Sequence, residues 1–245
     1  MLIPSSGTKF RAVVAMLAIA ICSGYGSRIS AADKKADPKA EQKFDLHALT
    51  QELSRTKKVG DSVLLVFWFP QEFFKASVQD SARLTDDQKA QYAQALSPYT
   101  TIAVIDAKEG GFGTLTYKSE AEVRDEIRFF DSQGKAHEPL VEDDISGEAR
   151  VILGAFKPIM TNMMGPMGKN LHLFFFPVKG DDGKALFDVK SKGAVTVKVG
   201  TDEFRWRLPL GSLLPPKICS KCQEKCNGAW DFCPWCGNHL ETAAP

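Results

Sequence analysis

The sequence predicts an α+β fold: a body made mainly of antiparallel sheet, or a β-sandwich, with helical insertions, followed by a small cysteine-bearing module at the C-terminus. Three observations lead to that expectation. Short apolar or alternating segments recur with hairpin-type turns between them, which favours antiparallel pairing over a parallel sheet. Helical signals are fewer and fall between those segments. Five of the six cysteines lie beyond residue 218, set apart from everything else.

Taken in order, Phe44, Leu46, Leu49 and Leu53 have the spacing of a short helix. Val63 to Phe69 is continuously apolar and is stopped by Pro70, the pattern of a strand covered on both faces. A helical stretch follows. Thr85 with Gln88 three residues on makes a capping box that opens a helix to about Leu96, with Ala90, Ala93 and Leu96 on one side. Thr101 to Ile105 reads as a second buried strand. Gly110 to Gly113 reads as a turn, since it lacks the Lys-Ser/Thr end of a phosphate loop and the spacing of a dinucleotide fingerprint.

Ile127 to Phe130 is a strand running into the turn Asp131-Ser-Gln-Gly134-Lys135. Ser146 caps a helix over about Glu148 to Asn162. Leu171–Val178, Ala194–Val199 and Phe204–Leu210 are strands, separated by turns at Asp181-Asp182-Gly183 and at Gly200-Thr-Asp202. The alternation in Phe204-Arg-Trp206-Arg-Leu208 gives that last strand one buried and one wet face. Pro209, Pro215 and Pro216 stiffen the passage that follows. The resulting division is 1–32, 33–42, a body at 43–210, a Pro-rich linker at 211–218 and the terminal module at 219–240.

Residues 1–32 hold Lys9, Arg11 and Arg28, no acidic residue and an apolar run from Ala12 to Cys22. Such a run is too short to cross about 30 Å of hydrocarbon, and Ser30-Ala31-Ala32 supplies small residues for a peptidase. The segment reads as a secretory signal cleaved near Ala32, placing the protein in the periplasm, envelope or medium with no transmembrane span in the mature chain. Residues 33–42 are a polar tether. With those three cations removed from the 31 basic residues, 28 remain against 30 acidic, a net charge of −2. That balance withholds the electrostatic attraction on which nucleic-acid binding depends.

The terminal cysteines form two knuckles, Cys219-Ser-Lys-Cys222 and Cys233-Pro-Trp-Cys236-Gly237. Two residues between paired cysteines let both thiolates reach one ion from a tight turn, and the intervening loop brings the second pair round to complete a tetrahedral Zn2+ site. Five cysteines outlast the signal, so a disulfide framework leaves one unpaired, whereas a four-thiolate site leaves Cys226 as bystander. Cys226 or His239 can also stand in for one ligand, and Cys233 with Cys236 has the spacing of a redox dithiol.

Residues 219–240, above all Phe232-Cys233-Pro-Trp235-Cys236-Gly237, resemble the short zinc ribbons appended to many bacterial proteins. The resemblance implies a structural or protein-binding appendage with metal at Cys219, Cys222, Cys233 and Cys236. With every position a protein thiolate, no vacancy is left for water or substrate, so a non-catalytic protein with a protein partner is expected. The alternative is an extracytoplasmic thiol-disulfide oxidoreductase using Cys233 and Cys236. Val63–Pro70 and Ile127–Lys135 also look like strand segments of thioredoxin-like proteins, but Gln71-Glu72-Phe73-Phe74 stands where the redox cysteines of that family would follow.

Other constellations have simpler readings. Met160, Met163, Met164 and Met167 recur at helical spacing, as a core-facing surface does, although thioethers also suit Cu(I). His47, His137, His172 and His239 share no ligand spacing. Glu142, Asp143 and Asp144 suit the start of a helix. Trp68 belongs to the core, while Trp230 and Trp235 flank the second knuckle in a module too small to bury both, and so offer a surface to a partner or to the body.

Overall fold

The computed structural model describes residues 45–241. The signal at 1–32 with Cys22, the tether at 33–42 and Phe44 lie outside the described residues. Helix α1 (Leu46–Leu53) starts where the Asp45 carboxylate accepts the Ala48 N–H, and it buries Leu49 and Leu53. It passes directly into strand β1 (Ser54–Val59), which a turn with Gly60 at φ 56° joins to β2 (Ser62–Phe69). No apolar run announces β1. Its exposed Lys57 and Lys58 suit an edge strand, where charge discourages pairing with other chains.

Helices α2 (Gln71–Gln79) and α3 (Asp86–Leu96) lead to β3 (Tyr99–Glu109), β4 (Leu115–Tyr117) and α4 (Glu120–Glu126). Both halves of the Thr85/Gln88 capping box form. The buried side of α3 differs from expectation: Ala90 is exposed, and Tyr92 and Leu96 are buried. The Tyr92 ring lies against Phe74 of α2 at 6.4 Å, and this large apolar contact sets the helix rotation.

After these come β5 (Ile127–Phe130), β6 (Ala136–His137), α5 (Gly147–Met163), β7 (His172–Pro177), β8 (Gly193–Val199) and β9 (Asp202–Leu208). Ser146 caps α5 through the Ala149 N–H. Met160 is buried, and Met164 and Met167 pack partly against the core, so these three thioethers fill space. β9 alternates buried and exposed along its whole length after Asp202.

Every strand pairing among the described residues is antiparallel. The first sheet runs β1-β2-β3, and β3 is long enough to pair with two strands on its far side: β7 along Tyr99–Val104 and β4 along Ala107–Glu109. The second sheet has the order β6-β5-β8-β9. Trp68 of β2 meets Trp206 of β9 at 5.7 Å, and Phe129 of β5 meets Phe176 of β7 at 5.6 Å, so the sheets pack face to face. On the opposite face of the first sheet, Phe69 meets Phe73 of α2 and Phe156 of α5. The body is therefore a mixed helix and antiparallel-sheet fold in three layers.

β3 is buried on both faces over most of its length, whereas in β2 Leu64, Val66 and Trp68 are buried and Leu65 and Phe67 only partly so. The segments resembling thioredoxin strands fall in β2 and β5, which belong to different sheets, and no parallel pair exists among the described residues. Two indole N–H groups in the core are satisfied: Trp68 donates to Thr100 Oγ1 at 2.7 Å and Trp206 to the Leu53 carbonyl at 3.2 Å. No helix of the described residues is long and apolar enough to cross a membrane.

The passage at 211–218 is packed rather than free. Glu52 accepts the backbone N–H groups of Gly211 and Ser212 at 2.8 and 2.9 Å, and Leu213 is fully buried. Strand β10 (Lys217–Ile218) begins inside this passage and pairs with β11 (Lys225–Cys226).

Candidate metal centre

The two knuckles adopt the same turn. In the first, the Cys219 N–H donates to the Glu224 carbonyl and the Gln223 N–H to the Cys219 carbonyl, both at 2.9 Å. In the second, the Cys233 N–H donates to the Asn238 carbonyl at 2.8 Å and the Gly237 N–H to the Cys233 carbonyl at 2.9 Å. Gly237 has φ 70°, the left-handed conformation that a side chain resists, and Gln223 occupies the equivalent place with φ 61°.

These turns aim four sulfurs at one point. Sγ of Cys219, Cys222, Cys233 and Cys236 all lie within 4.8 Å of one another, with Cys219 to Cys236 at 3.5 Å and Cys222 to Cys233 at 3.6 Å. Four thiolates at about 2.3 Å from a tetrahedral ion stand about 3.8 Å apart, close to what is found. Disulfide sulfurs stand about 2.0 Å apart, and the five cysteines among the described residues are free thiols. The donor set therefore fits a metal ion.

The same arrangement controls charge. Burial resists ionisation of Cys233, but N–H groups of Trp235 and Cys236 and the thiols of Cys222 and Cys236 outweigh it and bring its pKa down to about 6. Cys219 is lowered as well, chiefly by the Cys222 N–H, with burial opposing and the Lys221 N–H assisting. For Cys222 the Glu224 N–H favours the thiolate, yet burial and the three neighbouring sulfurs prevail and push it up to about 12. In Cys236 the Asn238 N–H likewise favours the thiolate, but burial and the sulfurs of Cys219 and Cys233 raise the pKa. Without a cation, the first cysteine of each knuckle ionises at the expense of the second. A divalent ion removes that conflict.

Cys226 is buried beside the cluster with Cys219, Cys233 and Leu240, but it stands outside the four-sulfur group, and burial first among several causes lifts its pKa to about 11. His239 is exposed and turns its ring against Phe232 at 5.3 Å. The other histidines have separate partners: Gln51 for His47, Asp131 for His137 and the Lys118 carbonyl for His172. Glu142, Asp143 and Asp144 form an exposed 3-10 turn.

The module seats on the body through Asn227 and Gly228. A Cβ on Gly211 would collide with the Asn227 side chain, and one on Gly228 would lie 2.5 Å from the Pro215 carbonyl. Trp235, Phe232 and Trp230 are left 75, 62 and 45 % exposed, so these aromatic rings are not what docks the module. Comparison with family models, with curated proteins and with solved structures gives no match.

Proposed function

We propose that this chain is an exported, non-catalytic protein whose residues 219–240 form a zinc ribbon of the short bacterial kind. Cys219, Cys222, Cys233 and Cys236 hold Zn2+, which ties the two knuckles together as a structural cross-link. The observation that carries the reading is the repeated turn that brings four sulfurs within 4.8 Å. A closed four-thiolate site leaves no position for water or substrate, which favours a brace over a catalyst. The exposed Trp235, Phe232 and Trp230 support a role in contacting a protein partner at the cell envelope.

Metal analysis of the purified chain under reducing conditions tests this. The expected result is one zinc per chain, lost in Cys233→Ser and in Cys236→Ser. A metal-free wild type whose Cys233 and Cys236 cycle with a disulfide substrate would replace this reading with the oxidoreductase one. Burial of Cys233 at 2 % exposure stands against that outcome, because exchange needs an accessible attacking sulfur. N-terminal sequencing of the protein recovered from its native cells tests export, with Asp33 expected as the first residue.

A further inference from the structure

The four sulfurs differ in access in a regular way. Cys222 is exposed and Cys236 half-buried, whereas Cys219 and Cys233 are buried. Two sulfur pairs at 3.5 and 3.6 Å run between knuckles, Cys219 with Cys236 and Cys222 with Cys233, while Cys219 with Cys222 and Cys233 with Cys236 interact within each knuckle. Each such pair joins one sulfur that solvent reaches to one that it does not. Redox-sensing cysteines commonly combine an accessible sulfur with a resolving partner at hand.

We infer that this cluster is a peroxide-responsive modification site, in which Cys222 and Cys236 are oxidised, Cys233 and Cys219 resolve them, and two disulfides between the knuckles replace the metal. With the ion holding Cys222 as a thiolate, its sulfur attacks one oxygen of hydrogen peroxide, the O–O bond breaks, hydroxide leaves and a sulfenic acid forms. The Cys233 thiolate then attacks that sulfur, the S–O bond breaks and a second hydroxide leaves, each hydroxide taking a proton to become water. The cysteine pair gives up two electrons and the peroxide accepts them. Cys236 and Cys219 consume a second peroxide in the same way, and the ion departs as Zn2+.

Closing these pairs needs each sulfur separation to shrink by only about 1.5 Å to bond length. Both resulting bonds span the two knuckles, so the oxidised module keeps the connection that the ion supplied. Cys226, buried and hydrogen-bonded to the Glu224 carbonyl at 3.6 Å, stays a thiol. The release of metal and the order of attack rest on the zinc reading above; the choice of sulfur pairs rests on their separations alone.

The full chain, zinc-loaded, is treated with hydrogen peroxide while zinc release is followed with a chromogenic chelator. Remaining thiols are then alkylated and the disulfides mapped by mass spectrometry, with a reduced metal-free sample in parallel. The expected result is loss of one equivalent of zinc, bonds Cys222–Cys233 and Cys219–Cys236, and an alkylated Cys226. Bonds within a knuckle, any bond to Cys226, or sulfinic acid without pairing would overturn the inference. A chain that binds no zinc yet gives the two expected bonds would remove the metal reading and leave the pairing intact. Cys226→Ser should release zinc at the wild-type rate and give the same two bonds; a rate slowed tenfold or more would make Cys226 the resolving sulfur instead.

Discussion

Gln223 holds φ at 61° in the first knuckle, where the second has Gly237 at φ 70°. A side chain in that conformation costs about 1–2 kcal/mol. On the proposed zinc reading, Gln223→Gly is therefore expected to raise the module's resistance to zinc chelators, and Gly237→Ala to lower it, each by about 1 kcal/mol in a competition titration. In the core, Thr100→Val leaves the Trp68 N–H without an acceptor and should cost about 1–3 kcal/mol in denaturant unfolding. Asp131 titrates below the ordinary carboxylate range: burial opposes its ionisation, but the His137 ring and the Lys135 and Gln133 N–H groups outweigh that opposition. A depressed carboxylate stabilises the fold above the unfolded value of about 3.9 and loses that contribution as pH falls through the folded one. Melting temperatures measured from neutral pH downward should fall below about pH 4, and Asp131→Asn should flatten that part of the curve. The grouping of Cys219, Cys222, Cys233 and Cys236 could be read from their spacing. Gln223 could not, because nothing in its identity announces a left-handed turn.

Among the elements, those with a local chemical signature could be read in advance. Thr85 and Gln88 bond each other as their spacing requires, and Thr85→Ala is expected to destabilise the protein by about 1 kcal/mol in thermal unfolding. The buried and exposed alternation of β9 follows from Phe204-Arg-Trp206-Arg-Leu208. α4 carried an equally plain signal in Ser119 and Glu122, whose capping box forms, although no apolar periodicity drew attention to it. β1 and β4 had no such signal, since edge strands need few buried side chains. The passage at 211–218 looked like a linker from its prolines, but its seat depends on Glu52, far away in sequence, and on Asn227 beyond the first knuckle. Gly211→Ala should force Asn227 away, and limited proteolysis should then cut between 214 and 218 where the wild type resists.

At the scale of the molecule, two separate apolar clusters form: the body's, and a small one around Cys219, Cys226, Cys233 and Leu240. On the proposed zinc reading, stripping the metal should erase amide exchange protection in 219–240 while leaving that of β2, β3 and β8 unchanged. The antiparallel α+β character was legible because turns and short strands follow one another closely. The pairing of β3 with β7 was not, because it joins segments with β4, α4, β5, β6 and α5 between them. That interval has a kinetic side. Until His172–Pro177 arrives, the first half of β3 is paired along one edge only, with β2, and its other edge is open. A holdase that shields this open edge from Tyr99 to Val104 during synthesis would therefore keep it from pairing with the wrong strand.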